Sequence, residues 1–139
     1  MSFRKIAARV FVSGQVAPAD MAMAKAAGIT LVVNNRPDGE SFDQPAGAAI
    51  RRAAEEAGLA YAEVPIGAGG FTDADVAAMA ALLDRNEATL AFCRSGTRSA
   101  LLWALAEGRR SGDADEIAAA VRAAGYDPGP VMGALRGMA

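Results

Sequence analysis

Histidine is absent from this chain of 139 residues, and cysteine occurs once, at Cys93. Without histidine there is no Cys-His or Ser-His-Asp relay, and most catalytic metal sites lose their commonest ligand. No metal site and no cofactor is expected. A single cysteine excludes an internal disulfide and a resolving thiol. Aromatic residues make up only 6%, with one tryptophan. No apolar run approaches the roughly 20 residues that a membrane helix needs. There is no basic block and the net charge is −2, which argues against nucleic acid as a partner. Met1-Ser2-Phe3-Arg4-Lys5-Ile6 lacks the apolar core of a signal peptide, so a cytoplasmic location is the expectation.

What is present is a globular composition, 53% hydrophobic and 22% charged. The length suits one domain over residues 1–139 with one core. Abundant alanine points to helices packed closely on a sheet. Arg9 to Ser13 reads as a first strand. Pro18-Ala19-Asp20 opens a helix to about Ala27, followed by Gly28. Ile29 to Val33 is apolar throughout, as expected of a strand buried on both faces. A polar turn, Asn34 to Glu40, follows it. Pro45 to Ala57 reads as a helix, Leu59 to Val64 as a strand, and Pro65 to Gly70 as a mobile loop. Thr72-Asp73-Ala74-Asp75 resembles a capping box with Asp in place of Glu, opening a helix that buries Val76, Met79, Leu82 and Leu83. Further helices are expected to about Arg110, over Asp115 to Ala124, and from about Val131. The alternation implies an α/β fold with a mostly parallel sheet of about four strands and helices on its faces. Ligands of such sheets bind beyond the strand C-terminal ends.

One stretch concentrates the chemistry. Leu90-Ala91-Phe92 ends a strand, Cys93-Arg94-Ser95-Gly96-Thr97-Arg98-Ser99 forms a small polar loop, and Ala100 to Ala106 is a strong helix former. Backbone N–H groups of such a loop point inward, and the helix N-terminus adds about half a positive charge. An anion is held there, and a thiol placed there is favoured as thiolate.

The segment Cys93-x-x-Gly96-x-Arg98-Ser99 resembles the loops of cysteine phosphatases and of rhodanese sulfurtransferases. Four residues separate Cys93 from Arg98, the rhodanese length; phosphatase loops carry five. Val12-Ser13-Gly14-Gln15, Asn34 to Glu40, Val64-Pro65-Ile66, and Cys93 to Ser99 followed by Leu102-Trp103 together resemble the beta-lactamase-hydrolase-like family over roughly residues 3 to 110. The resemblance implies a three-layer fold of the cysteine-phosphatase (dual-specificity-phosphatase-like) type, often labelled a sulfur transferase. Two departures weigh against phosphatase chemistry: Phe92 stands where phosphatases usually carry histidine, and the Pro65–Gly70 loop has no carboxylate to protonate a leaving alkoxide.

The leading expectation is therefore a rhodanese-type sulfurtransferase. Cys93, kept accessible in a tight cradle, takes a sulfur atom from thiosulfate or a persulfide. The alternatives are a cysteine phosphatase passing through a Cys93 phosphocysteine, and a non-catalytic anion-binding module. In each the partner is a small anion. Arg98 clamps the anion or ties the loop to backbone carbonyls. Gly96 permits strained backbone and close ligand approach. Ser95, Thr97 and Ser99 add hydroxyl donors, although Ser99 equally suits first-turn capping. Arg94 faces substrate or solvent. Arg36 attracts the anion or pairs with Asp38 or Glu40.

Overall fold

A computed structural model describes residues 2–138. Five strands form one mixed sheet in the order β1-β2-β5-β3-β4. Their ranges are β1 Arg4–Ala7, β2 Val10–Ser13, β3 Leu31–Asn34, β4 Ala60–Glu63 and β5 Thr89–Phe92. The four strands expected from the sequence are β2 to β5, and they pair parallel with one another. The additional β1 pairs antiparallel with β2 at the sheet edge, with a register shift between Lys5 and Ala7. Its exposed Arg4 and Lys5 hide it from a hydrophobicity pattern, since an edge strand buries little of itself.

The helices are α1 Met21–Ala26, α2 Gly47–Glu56, α3 Asp73–Asp84, α4 Thr97–Ser111, α5 Ala114–Ala123 and α6 Gly129–Met138. A short 3-10 turn, Pro18–Asp20, precedes α1. The two-residue period of the strands sorts the core into two layers. Leu31, Val33 and Ala91 belong with Met79, Leu83, Leu102, Val121 and Leu135 from α3 to α6. Val32, Leu90 and Phe92 belong with Met21, Ala24, Ile50 and Ala54 from α1 and α2. The sheet therefore lies between two helical layers.

α4 is the inner helix, buried at every position from Ser99 to Ala106 and again at Gly108. A Cβ at Gly108 would lie 2.8 Å from Leu135, so glycine there lets α6 cross closely. The capping box of α3 forms as its spacing predicts. Thr72 Oγ1 accepts from Asp75 N–H at 3.1 Å and Asp75 Oδ2 accepts from Thr72 N–H at 3.1 Å. Leu82 is only half-buried, because the inward stripe of α3 runs through Val76, Met79, Ala80 and Leu83. None of the described helices is long and apolar enough to cross a membrane.

Candidate active site

β5 is the middle strand of the sheet and delivers Cys93 at its C-terminal end, with α4 starting at Thr97. The loop between them is fixed mainly by backbone. Cys93 N–H donates to Ser13 O at 3.3 Å, and Gln15 N–H donates to Arg94 O at 3.2 Å. The end of β2 thereby holds the loop from one side. Gly96 has φ +93°, left-handed backbone in which glycine escapes the Cβ penalty. Its N–H turns inward and donates to Cys93 Sγ at 3.1 Å. An N–H so aimed, one residue before a helix start, stabilises a negative sulfur.

The Cys93 residue is fully buried, at 0% exposure. The expectation of an accessible sulfur is corrected here. The six-residue loop winds close enough for its own amide to reach the sulfur.

Arg98 lies in the first turn of α4. Its guanidinium donates to Glu40 Oε2 at 2.6 Å through Nη1, to Glu40 Oε1 at 2.8 Å through Nη2, and to Ile66 O at 2.7 Å. Arg98 is thus both a backbone tie and half of a two-point ion pair. Its pKa is raised, first by the hydrogen bond to Glu40, with the nearby Cys93 sulfur adding to the rise against an opposing burial effect. The same pair holds the Glu40 carboxyl at about 2, well below its usual 4.5. Arg98 is the larger cause and Arg36 adds to it, against the opposing effect of burial.

Arg36 is 6% exposed. Its Nε donates to Glu40 Oε1 at 2.9 Å, Nη1 to Gln15 Oε1 at 3.1 Å and Nη2 to Ser41 Oγ at 3.2 Å. Of the two expected roles, the ion pair with Glu40 is the one formed. Glu40 thereby links Arg36 to Arg98, and the turn after β3 faces the cysteine loop as anticipated.

The three hydroxyls divide differently from the expectation. Ser99 is fully buried and donates to Asn35 Oδ1 at 2.7 Å. It ties the start of α4 to the turn after β3, and no side-chain cap bond forms on α4. Ser95 Oγ donates to Thr97 Oγ1 at 3.1 Å, the two hydroxyls satisfying each other on the exposed side. Arg94 is exposed. The start of the Pro65–Gly70 loop is less free than its glycines imply: Ile66 is buried in the core and its N–H donates to Asn35 O at 2.9 Å.

Four contributors were not singled out from the sequence. Gln15 touches both Arg94 and Arg36. Asn35, fully buried, binds Ser99 and donates to Val64 O at 3.0 Å. Glu40 was named only as a partner for Arg36. Tyr126, just after α5, lies against Gly96. Asn35 and Glu40 stand in the polar turn after β3, and Gln15 in a segment that carries the family resemblance; nothing local distinguished Tyr126.

A cavity of about 260 Å³ beside the site is lined by Arg36, Pro37, Asp38, Glu63 and Pro65. Glu63 accepts from Tyr61 Oη at 2.7 Å, and Asp38 accepts from Gly47 N–H at 2.8 Å. Asp75 is engaged in the α3 cap. Among the described residues, no three of His, Cys, Asp and Glu are grouped to hold a metal ion.

Residues 2–110 match the family model described as "Beta-lactamase hydrolase-like protein, phosphatase-like domain". Over 125 residues the chain is 38% identical to the beta-lactamase hydrolase-like protein of Xylella fastidiosa, covering 87% of this chain and 28% of that protein. The chain thus spans little more than a quarter of the curated relative's length. Among solved structures, a candidate phosphatase of Neisseria meningitidis superposes with a TM-score of 0.83 at 30% identity, covering 100% of this chain and 99% of that one. The kinase associated phosphatase, at 16% identity, shares the fold with a TM-score of 0.70 over 91% of this chain and 83% of its own.

Proposed function

This chain belongs to the beta-lactamase hydrolase-like family, as its phosphatase-like domain, and on that footing we propose that it is a cysteine-dependent phosphatase acting on small phosphomonoesters. The observation that carries the reading is the Gly96 N–H held 3.1 Å from Cys93 Sγ at the head of α4. A thiolate held by an N–H donor beside a guanidinium is built to meet a phosphoryl group. The phosphatase fold and the Neisseria relative give this chemistry more support than sulfur transfer receives.

In the first step Cys93 Sγ attacks phosphorus, an S–P bond forms, and the ester P–O bond breaks with its electron pair leaving on oxygen. Arg98 and the loop amides neutralise the equatorial oxygens. Water then attacks phosphorus, the S–P bond breaks, and phosphate leaves with the thiolate restored. No described carboxylate is free at the Pro65–Gly70 loop to protonate a leaving alkoxide. The site therefore suits esters whose leaving group departs without a proton, aryl phosphates above all.

A second reading keeps one specific observation in its favour: the four-residue spacing from Cys93 to Arg98 and the fully buried sulfur. A narrow cradle favours transfer of a single sulfur atom. Cys93 Sγ would bond the outer sulfur of thiosulfate, the S–S bond would break, and sulfite would leave with the electron pair.

One experiment separates the two. The protein is incubated with 4-nitrophenyl phosphate or with thiosulfate, acid-quenched, and Cys93 examined by mass spectrometry. A gain of one phosphoryl group, with turnover lost in Cys93→Ser, is expected. A gain of one sulfur atom from thiosulfate with no ester turnover would replace the phosphatase reading. Anion binding without either adduct would leave only a binding module.

A further inference from the structure

The residue that closes the outer side of the cysteine loop comes from beyond the segment matched by the family model. In the trans Ser95–Gly96 peptide the N–H and the C=O point in opposite directions within one plane. The N–H donates to Cys93 Sγ at 3.1 Å, and the carbonyl oxygen lies 3.5 Å from Tyr126 Oη. A Cβ on Gly96 would run into the Tyr126 hydroxyl oxygen and stand 2.9 Å from the ring carbon that bears it. The phenol thus occupies the space that the missing side chain leaves.

Tyr126 is itself fixed. Its N–H donates to Val121 O at 3.1 Å. The Arg4 guanidinium lies 5.5 Å from its ring centroid and donates to Ala124 O at 3.1 Å, a cation over an aromatic face. Burial raises the Tyr126 pKa; Arg4 opposes the rise and Cys93 adds to it. The hydroxyl therefore keeps its proton at neutral pH and remains a donor.

We propose that Tyr126 is a positioning residue of the anion loop. Its hydroxyl braces the outer face of the Ser95–Gly96 peptide, so that the Gly96 N–H stays aimed at the sulfur and at the anion bound beside it. The inference rests on the loop being the anion site, and it assigns residue 96 a partner as well as a backbone conformation.

Tyr126→Phe keeps the ring and its contact with Arg4 and removes only the hydroxyl. Three quantities are read in parallel with wild type: the inhibition constant of inorganic phosphate, kcat for 4-nitrophenyl phosphate, and the Gly96 amide resonance in a ¹⁵N spectrum. Loss of one neutral polar contact weakens phosphate binding and lowers kcat by about three- to tenfold, with the melting temperature held and the Gly96 amide shifted. A second set tests the contact itself. Gly96→Ala is inactive, and Gly96→Ala combined with Tyr126→Leu is less impaired than additive effects predict, because the leucine clears the space.

Wild-type phosphate affinity, wild-type kcat and an unmoved Gly96 amide in Tyr126→Phe would overturn the brace. If the wild-type protein neither binds phosphate nor turns over ester, the proposed reaction fails by itself. The brace is then judged on the Gly96 amide and on the coupling in melting temperature between residues 96 and 126.

Discussion

Arg98 and Glu40, 58 residues apart in the chain, meet in a two-point ion pair with N–O distances of 2.6 and 2.8 Å. Glu40 holds Arg36 as well. The guanidinium that serves the cysteine loop is therefore oriented by a carboxylate from the turn after β3, and Ile66 O fixes the same guanidinium nitrogen, Nη1.

Glu40→Gln removes the negative charge and one of the two acceptor oxygens shared by Arg98 and Arg36, so the two-point ion pair is lost. A loosely aimed clamp costs about tenfold in kcat/KM toward 4-nitrophenyl phosphate, equivalent to about 1.4 kcal/mol of transition-state stabilisation. Steady-state kinetics of the single variant check this.

The same pair has a pH signature. The Arg98 guanidinium, with Arg36 beside it, holds the Glu40 carboxyl down at about 2 from its ordinary 4.5. A depressed carboxylate contributes stability that is fully present above 4.5 and is lost as pH falls through about 2. The difference in urea midpoint between wild type and Glu40→Gln is constant from pH 7 to 5 and shrinks as pH drops below 4.5. A difference that grows on acidification would contradict the assignment.

Asn35 and Ser99 form a buried tie between the end of β3 and the start of α4. Asn35→Ala strands the Ser99 hydroxyl and the Val64 carbonyl away from water, at a cost of about 2–3 kcal/mol. Ser99→Ala costs less, about 1–2 kcal/mol, because one acceptor is orphaned. Chemical denaturation of both variants gives the order.

Thr72→Ala removes the α3 cap and lowers stability by about 1 kcal/mol. Asp73 sits in the first turn of α3, just beyond the loop where a proton donor would be sought. Asp73→Asn leaves kcat for aryl phosphates within about twofold, since a phenolate departs unprotonated. A larger fall, steeper with alkyl than with aryl esters, would make Asp73 the missing acid.

Much of this protein was legible from residue order because the signals involved are local. Strand ends, caps and the Cys93–Arg98 loop are set by neighbours within a few positions, where backbone sterics, side-chain period and helix dipoles act. Ile29–Val33 reads as a buried strand because its β-branched run carries no charge, and the strand formed is Leu31–Asn34. The α3 cap needs only Thr72 and Asp75. The antiparallel edge strand escaped because Arg4 and Lys5 carry no hydrophobic period, and its pairing with β2 supplies what its side chains do not.

Chain order by itself determined that a lone thiol would sit beside an N–H donor just before a helix, since Cys93, Gly96 and Arg98 lie within six residues. Tertiary structure decided the rest of the site. Arg98 could have turned to solvent, to substrate or to any carboxylate; only the approach of β3's turn selects Glu40. Tyr126 reaches Gly96 only because α5 packs back across α4 and Arg4 receives it from the far end of the sheet. Such partners are chosen by distance in space, and a side chain's neighbours across 30 or more residues follow from the packing of whole layers.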